Sequence, residues 1–284
     1  MSGIALQSFK TGWNFSKDNF KNMSICVLKM IPLYILIAIL GFGLGMLFGV
    51  PIAFNFGMSF DIQISQEAIF SKTGLVQTLI HILKTIAITP LLVSIHRAIL
   101  LNEPFNRSVY FRLFNKRELK YAAWLLAFEF LALLPSMVTI VGLNSLPTDS
   151  LTKSFPNFPY VAYTLLFISI VVFVYLFLRF SYLLSALATD KEVTLQTVMQ
   201  KTSNKAGKMF QTTGLVVLAF LVIGFLMGGT IYLIAQKIHF TVTIMTIFTV
   251  VAALLTTLLM IMMIGTGTGA ISQVFKTLES QKAT

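Results

Sequence analysis

Long apolar runs separated by short basic segments set the pattern of this chain. The first run, SICVLKMIPLYILIAILGFGLGMLFGV, holds a single charge over residues 24–50. A helix needs about 20 apolar residues to cross a hydrocarbon core about 30 Å thick, and five further runs reach that length. A transmembrane strand would instead alternate apolar and polar residues over about ten positions, and no such alternation dominates. The pattern therefore predicts six membrane-spanning helices, over roughly 24–50, 74–101, 119–142, 159–187, 212–236 and 241–278. Several exceed 20 residues, so tilt, kinks or projection beyond the bilayer is expected, with Pro32, Pro90 and Pro135 as kink positions.

The odd-numbered spans begin near residues 24, 119 and 212, a period of roughly 93 to 95 residues. Each follows a basic, partly apolar segment: SFKTGWNFSKDNFKNM at 8–23, FNRSVYFRLFNKRELK at 105–120 and TLQTVMQKTSNKAGKMF at 194–210. In the third, helical spacing puts Lys201, Lys205 and Lys208 on one face, with Leu195, Val198, Met199, Thr202 and Met209 mostly on another. Such a helix lies along lipid headgroups, and Phe9, Trp13 and Phe20 of the first segment suit the same interface. The expected fold is all-α. It is a single integral membrane domain, 1–284, of six transmembrane helices in three hairpin repeats (8–101, 105–187 and 194–278), each led by a cytoplasmic amphipathic helix.

Composition agrees with this class and excludes others. The chain is 56% hydrophobic and only 11% charged, against about 25% charged in an ordinary soluble domain. Its basic residues fall on one side of the predicted spans. Seventeen of the 21 lie in the N-terminal segment, the stretches around 97–120 and 179–208, and the C-terminal tail; only Lys72, Lys153 and Lys237 lie on the other side. That bias puts both termini in the cytoplasm. The net charge of +11 then reads as attraction to anionic inner-leaflet phospholipids, not to nucleic acid. The first run is too long for a secretory signal and has no clean small-residue cleavage site, so a retained span is expected. A lone cysteine, Cys26, excludes an internal disulfide and a cysteine-based metal cluster.

The second span ends SIHRAILLNEP and the fourth ends FLRFSYLLSALATDKE, so each carries an arginine, a short apolar run and then an acid. If the bilayer core covers the nineteen uncharged residues 160–178, Arg179 reaches the headgroups by snorkelling. Two readings stand for Arg97 and Arg179: phosphate-level anchoring, or a basic mouth lining a lipid or anion site between repeats. Arg112, Lys116, Arg117, Lys201, Lys205 and Lys208 complete the expected interfacial lipid-binding set. Together WNFSKDNFKNM, RFSYLLSALATD and MQKTSNKAGKMF resemble a broad bacterial group of small polytopic inner-membrane proteins of unknown function, related to the membrane domain of glycerophosphodiester phosphodiesterases. The resemblance implies a fold and a location and brings no activity or active site with it. No stretch of the chain is long and polar enough to be the soluble phosphodiesterase domain that some members carry.

Polar groups inside the spans are few. Glu129, in AAWLLAFEFLALL, lies near the middle of the third, and intramembrane acids mark ion paths, proton sites or pairings. Lys84, in LIHILKTIAIT, sits roughly 5 Å outward of its span centre and Glu129 roughly 2 Å inward of its own. Glu129 is therefore expected to face the bundle interior, with Lys84 or His81 as its polar partner, in either a structural pairing or a proton- or cation-coupled pathway. Gly41, Gly45 and Gly49, Gly224 and Gly228, and Gly265 and Gly269 recur every fourth residue, the spacing that lets helix backbones approach. GTGTGA at 265–270 follows no strand and is not a phosphate loop. His81, His96 and His239 show no metalloprotease spacing, no G-x-S-x-G occurs, and Glu129 has no second deep carboxylate. The acids Asp61, Glu67 and Asp149 of the expected outer loops read as solvated surface. No enzyme activity, cofactor or metal is expected. The sequence points to a non-enzymatic membrane protein that engages anionic lipids, partner proteins or its own copies through a basic cytoplasmic surface. The alternative is a secondary transporter or channel using Glu129 with Lys84 and His81.

Overall fold

A computed structural model describes residues 3–49, 72–105, 115–145, 158–203, 205–237 and 242–280. Arg112, His239 and most of the expected outer loops, with Asp61, Glu67 and Asp149, lie outside the described residues. Within them every regular element is a helix: α1 Gly3–Phe48, α2 Lys72–Leu100, α3 Lys116–Ser145, α4 Phe158–Ala188, α5 Leu195–Thr202, α6 Ala206–Lys237 and α7 Val242–Ser280. Four helical segments are long and apolar enough to cross a membrane: Gly3–Phe48, Lys72–Leu100, Gly207–Thr230 and Leu254–Ser280. The expected third and fourth spans coincide with α3 and α4, of 30 and 31 residues.

Two of the amphipathic leaders differ from expectation. Residues 8–23 are no separate surface helix; they form the first half of α1, which runs unbroken for 46 residues. No breaker stands between Met23 and Pro32, and Pro32 itself sits inside the continuous helix. At about 1.5 Å per residue α1 is about 69 Å long, beyond the ~45 Å of a bilayer with its headgroups, so it tilts strongly or projects. In the third leader the chain leaves helix after Thr202 and re-enters it at Ala206. Lys201 is thus on α5, Lys205 in the break and Lys208 on α6, and the single lysine face expected there does not form. The hydroxyl of Ser203, at the α5 C-cap, donates to the Gln200 carbonyl at 2.9 Å, and the Lys205 amide donates to the Thr202 carbonyl at 3.2 Å. These bonds turn the chain and satisfy carbonyls that a helix end leaves open.

One stripe of α1 is buried from end to end: Ala5, Ser8, Gly12 and Ser16, then Met23, Cys26, Met30, Tyr34, Ile37, Gly41 and Gly45. The three- and four-residue steps keep these side chains on one face of a 3.6-residue helix. The small residues near the start admit α7. Gly12 lies against Thr266 and Ala270, Gly269 against Gly12 and Ile99, and Gly265 against Ser16 and Met23. Advancing along α1 moves back along α7, so the two helices are antiparallel. Trp13 meets Phe220 of α6, with ring centroids 6.4 Å apart.

The same levels join the remaining helices. His96 near the end of α2 reaches Tyr121 at the start of α3, Ser185 late in α4 and Ser272 late in α7. One end of the bundle therefore gathers the starts of α1, α3 and α6 and the finishes of α2, α4 and α7. Phe128 of α3 stacks on Phe180 of α4, with ring centroids 4.8 Å apart. Elsewhere large apolar side chains face outward, including Leu47 at 75% and Phe225 at 82% exposure. A surface this apolar suits lipid better than water.

Candidate functional site

Asn102 and Asp190 stand just beyond α2 and α4 with φ of 53° and 59°. Asparagine and aspartate are the side-chain-bearing residues that best tolerate this left-handed turn. The turn at Asp190 closes with the Lys191 amide donating to the Ala186 carbonyl at 3.0 Å. It also presents the Asp190 carboxylate back toward α2, and the two arginines singled out by sequence act at such helix ends.

Arg97 donates through Nη1 to the Ala188 carbonyl at 3.1 Å and to Asp190 Oδ2 at 2.8 Å, and through Nε and Nη2 to the two carboxylate oxygens of Glu103. The cation sits on the last residue of α4, where the open carbonyls and the helix dipole both favour positive charge by about 0.3–1 kcal/mol. Arg179 does the same for α5. Its Nη2 donates to the Met199 carbonyl, one of the four that the end of α5 leaves open; Nε donates to Thr202 Oγ1 at 2.8 Å and Nη1 to the Tyr175 hydroxyl at 3.0 Å. Thr202 Oγ1 in turn donates to the Val198 carbonyl at 2.7 Å. With 7% exposure, Arg179 is turned into the protein and not outward to phosphate, which corrects the snorkelling geometry read from sequence. Burying so strong a donor is costly unless its hydrogens find acceptors, and the last turn of α5 with the Tyr175 hydroxyl of α4 supplies them.

The remaining basic residues divide into paired and exposed groups. Arg117 bonds Glu118 at 2.9 Å and Asp190 at 3.1 Å, so Asp190 bridges two arginines from α2 and α3. Lys201 bonds Glu279. Lys208 is half-buried and Lys205 lies in the break between helices. Lys10, Lys17, Lys21, Lys116, Lys120 and Lys276 are exposed at the gathered end of the bundle.

Away from that end, Glu129 of α3 faces α2. Its Oε2 lies 3.0 Å from His81 Nε2 and accepts from Thr85 Oγ1 at 3.1 Å. Its Oε1 is buried and has no hydrogen-bond partner among the described residues. Lys84 lies on the same stretch of α2, half-buried. The pairing with α2 follows the expectation, and Thr85 is an addition. His81 and Thr85 are four residues apart and share a helix face, a spacing visible in LIHILKT that sequence reasoning passed over.

A second polar centre was not anticipated. His96 is fully enclosed, with Nδ1 2.7 Å from Ser272 Oγ and 3.4 Å from Ser185 Oγ, and Nε2 3.1 Å from the Tyr121 hydroxyl. Each partner comes from a different helix, so one imidazole ties four helices together. Among the described residues no group of three histidines, cysteines, aspartates or glutamates is placed to hold a metal.

The glycines fall into two sets. Gly41 and Gly45 are buried in the α1 stripe, and Gly265 and Gly269 meet α1. Gly49 ends α1 with φ +66, and a Cβ at Gly49, Gly224 or Gly228 would meet no described atom within 4 Å. Gly12, the tightest site, lies outside any every-fourth glycine series; its signal was the small-residue spacing of Ser8, Gly12 and Ser16. Comparison with protein families, characterised proteins and solved structures finds no match to this chain.

Proposed function

We propose that the protein is a non-enzymatic integral protein of the bacterial inner membrane, with six spans arranged as three hairpins and both termini in the cytoplasm. In this reading it engages anionic phospholipids, and partner proteins bound beside them, through its basic inner end. The observation that carries the proposal is the gathering of six helix ends at one pole, where Lys10, Lys17, Lys21, Lys116, Lys120 and Lys276 are exposed, while outward-facing apolar side chains line the shafts. The contact with lipid passes from Arg97 and Arg179, which are occupied as helix caps, to these lysines.

Juxtamembrane cations gain about 1 kcal/mol each near an anionic leaflet. Purified protein should therefore melt at higher temperature with phosphatidylglycerol than with phosphatidylcholine, with the difference shrinking as salt rises. Changing Lys10, Lys17 and Lys21 to glutamine should reduce it. Equal stabilisation by both lipids at low salt would overturn the proposal.

A second reading, a secondary transporter or channel, is favoured by Glu129 with His81 and Thr85 and by the buried Oε1 that has no hydrogen-bond partner among the described residues. Glu129→Gln should then abolish coupled flux in proteoliposomes while leaving insertion intact. Flux indifferent to this change would remove the site from the account.

A further inference from the structure

Glu279, in the last turn of α7, is held by donors from three other places. Lys191, in the turn after α4, bonds its Oε2 at 2.8 Å; Lys201 of α5 and the Tyr182 hydroxyl of α4 both bond its Oε1. The lysines also lie over aromatic faces, Lys191 5.3 Å from the Phe275 centroid and Lys201 5.8 Å from that of Tyr182. Both ammonium side chains are exposed, whereas Tyr182 is buried and fixed. Lys276, one turn earlier on α7, is exposed as well. Two lysines thus bond one carboxylate, and the cluster keeps a net positive charge.

The carboxylate is poorly placed by its own helix. The C-terminal turn of a helix repels negative charge, and terminal turns are where helices open most readily. Two ammonium groups and a phenol hydroxyl aimed at a pair of oxygens form the donor set that a phosphate group accepts. We infer that Lys191, Lys201 and Tyr182 form a phosphate-binding site in which the Glu279 carboxylate is an internal stand-in, displaced when an anionic lipid headgroup or a free phosphate arrives. Because Lys201 also fixes α5, ligand entry exchanges one anchor of that helix for another. The inference rests on the anionic-lipid reading above and assigns one site within it.

The test measures melting of the intact protein in a neutral detergent with added phosphatidic acid, with inorganic phosphate, and with phosphatidylcholine as control. Glu279→Gln leaves the donors without a competing charge, so phosphatidic acid should raise its melting temperature at least twice as much as that of the parent. In the parent, Lys191→Gln and Lys201→Gln, made singly, should each reduce the rise. If inorganic phosphate reproduces the effect, the ligand is a soluble phosphate; if only phosphatidic acid does, it is a lipid. An equal rise in Glu279→Gln and parent, or an undiminished rise in both lysine variants, overturns the site. General lipid stabilisation that survives in the lysine variants would leave the broader function standing.

Discussion

The crossing of α1 and α7 at Gly12 gives the sharpest stability prediction. A Cβ added there would stand 2.7 Å from the Ala270 amide nitrogen, 3.1 Å from the Thr266 carbonyl carbon, and closer still to the Thr266 carbonyl oxygen. All three are backbone atoms, so no side chain can rotate away and the helices must separate. Overpacking of this kind costs about 1–3 kcal/mol, and the better helix propensity of alanine returns at most about 1 kcal/mol. Gly12→Ala should therefore lose up to about 2 kcal/mol. Gly224→Ala meets no described atom within 4 Å and should be neutral or gain up to about 1 kcal/mol. For a chain of this size the two variants should differ by at least about 2 °C in melting temperature. Cys26, the one cysteine and a buried one, makes the assay direct, since a thiol-reactive fluorophore labels it only as the core opens. A Gly12→Ala protein that melts with, or above, Gly224→Ala would refute the close crossing.

Other substitutions test the polar joints. Arg179→Met strands the Met199 carbonyl and should cost about 1–3 kcal/mol, read in the same melting assay; an unchanged midpoint would mean that the cap contributes nothing. Asp190→Asn weakens bonds to two arginines, yet the carboxylate is 57% exposed, so the loss should stay below about 1 kcal/mol. A loss of several kcal/mol would show the bridge to be shielded from water. His96→Leu and Ser272→Ala, alone and together, should show a coupling energy of about 0.5 kcal/mol or more in a double-mutant cycle; strict additivity would deny the contact.

Hydropathy made the helices legible because a 20-residue apolar run leaves a chain few other ways to satisfy its backbone. It also placed Glu129 opposite α2. Hydropathy could not separate the N-terminal basic segment from the span after it, since residues 8–23 already carry the small stripe that packs on α7. The repeated motif of arginine, apolar run and acid held real information in an unexpected form. Arg97 bonds both its own Glu103 and the Asp190 that follows Arg179, so the two copies are cross-linked as well as similar. The arginines' role as caps was hidden because a cap depends on which helix end arrives from elsewhere in the chain. Glu279 was hidden for the same reason: its partners are Tyr182, Lys191 and Lys201, all far away in sequence.

Directional alternation of the helices is the claim on which the membrane reading rests, and impermeant thiol labelling in sealed inside-out and right-side-out vesicles tests it most directly. In a Cys26→Ser background, single cysteines replace Lys10, Lys116 and Lys276 at the gathered end and Leu47 at the far end of α1. The first three should react only where the cytoplasmic face is outward, and position 47 only in the opposite orientation. Reaction of Lys116→Cys and Leu47→Cys from the same side would contradict the arrangement.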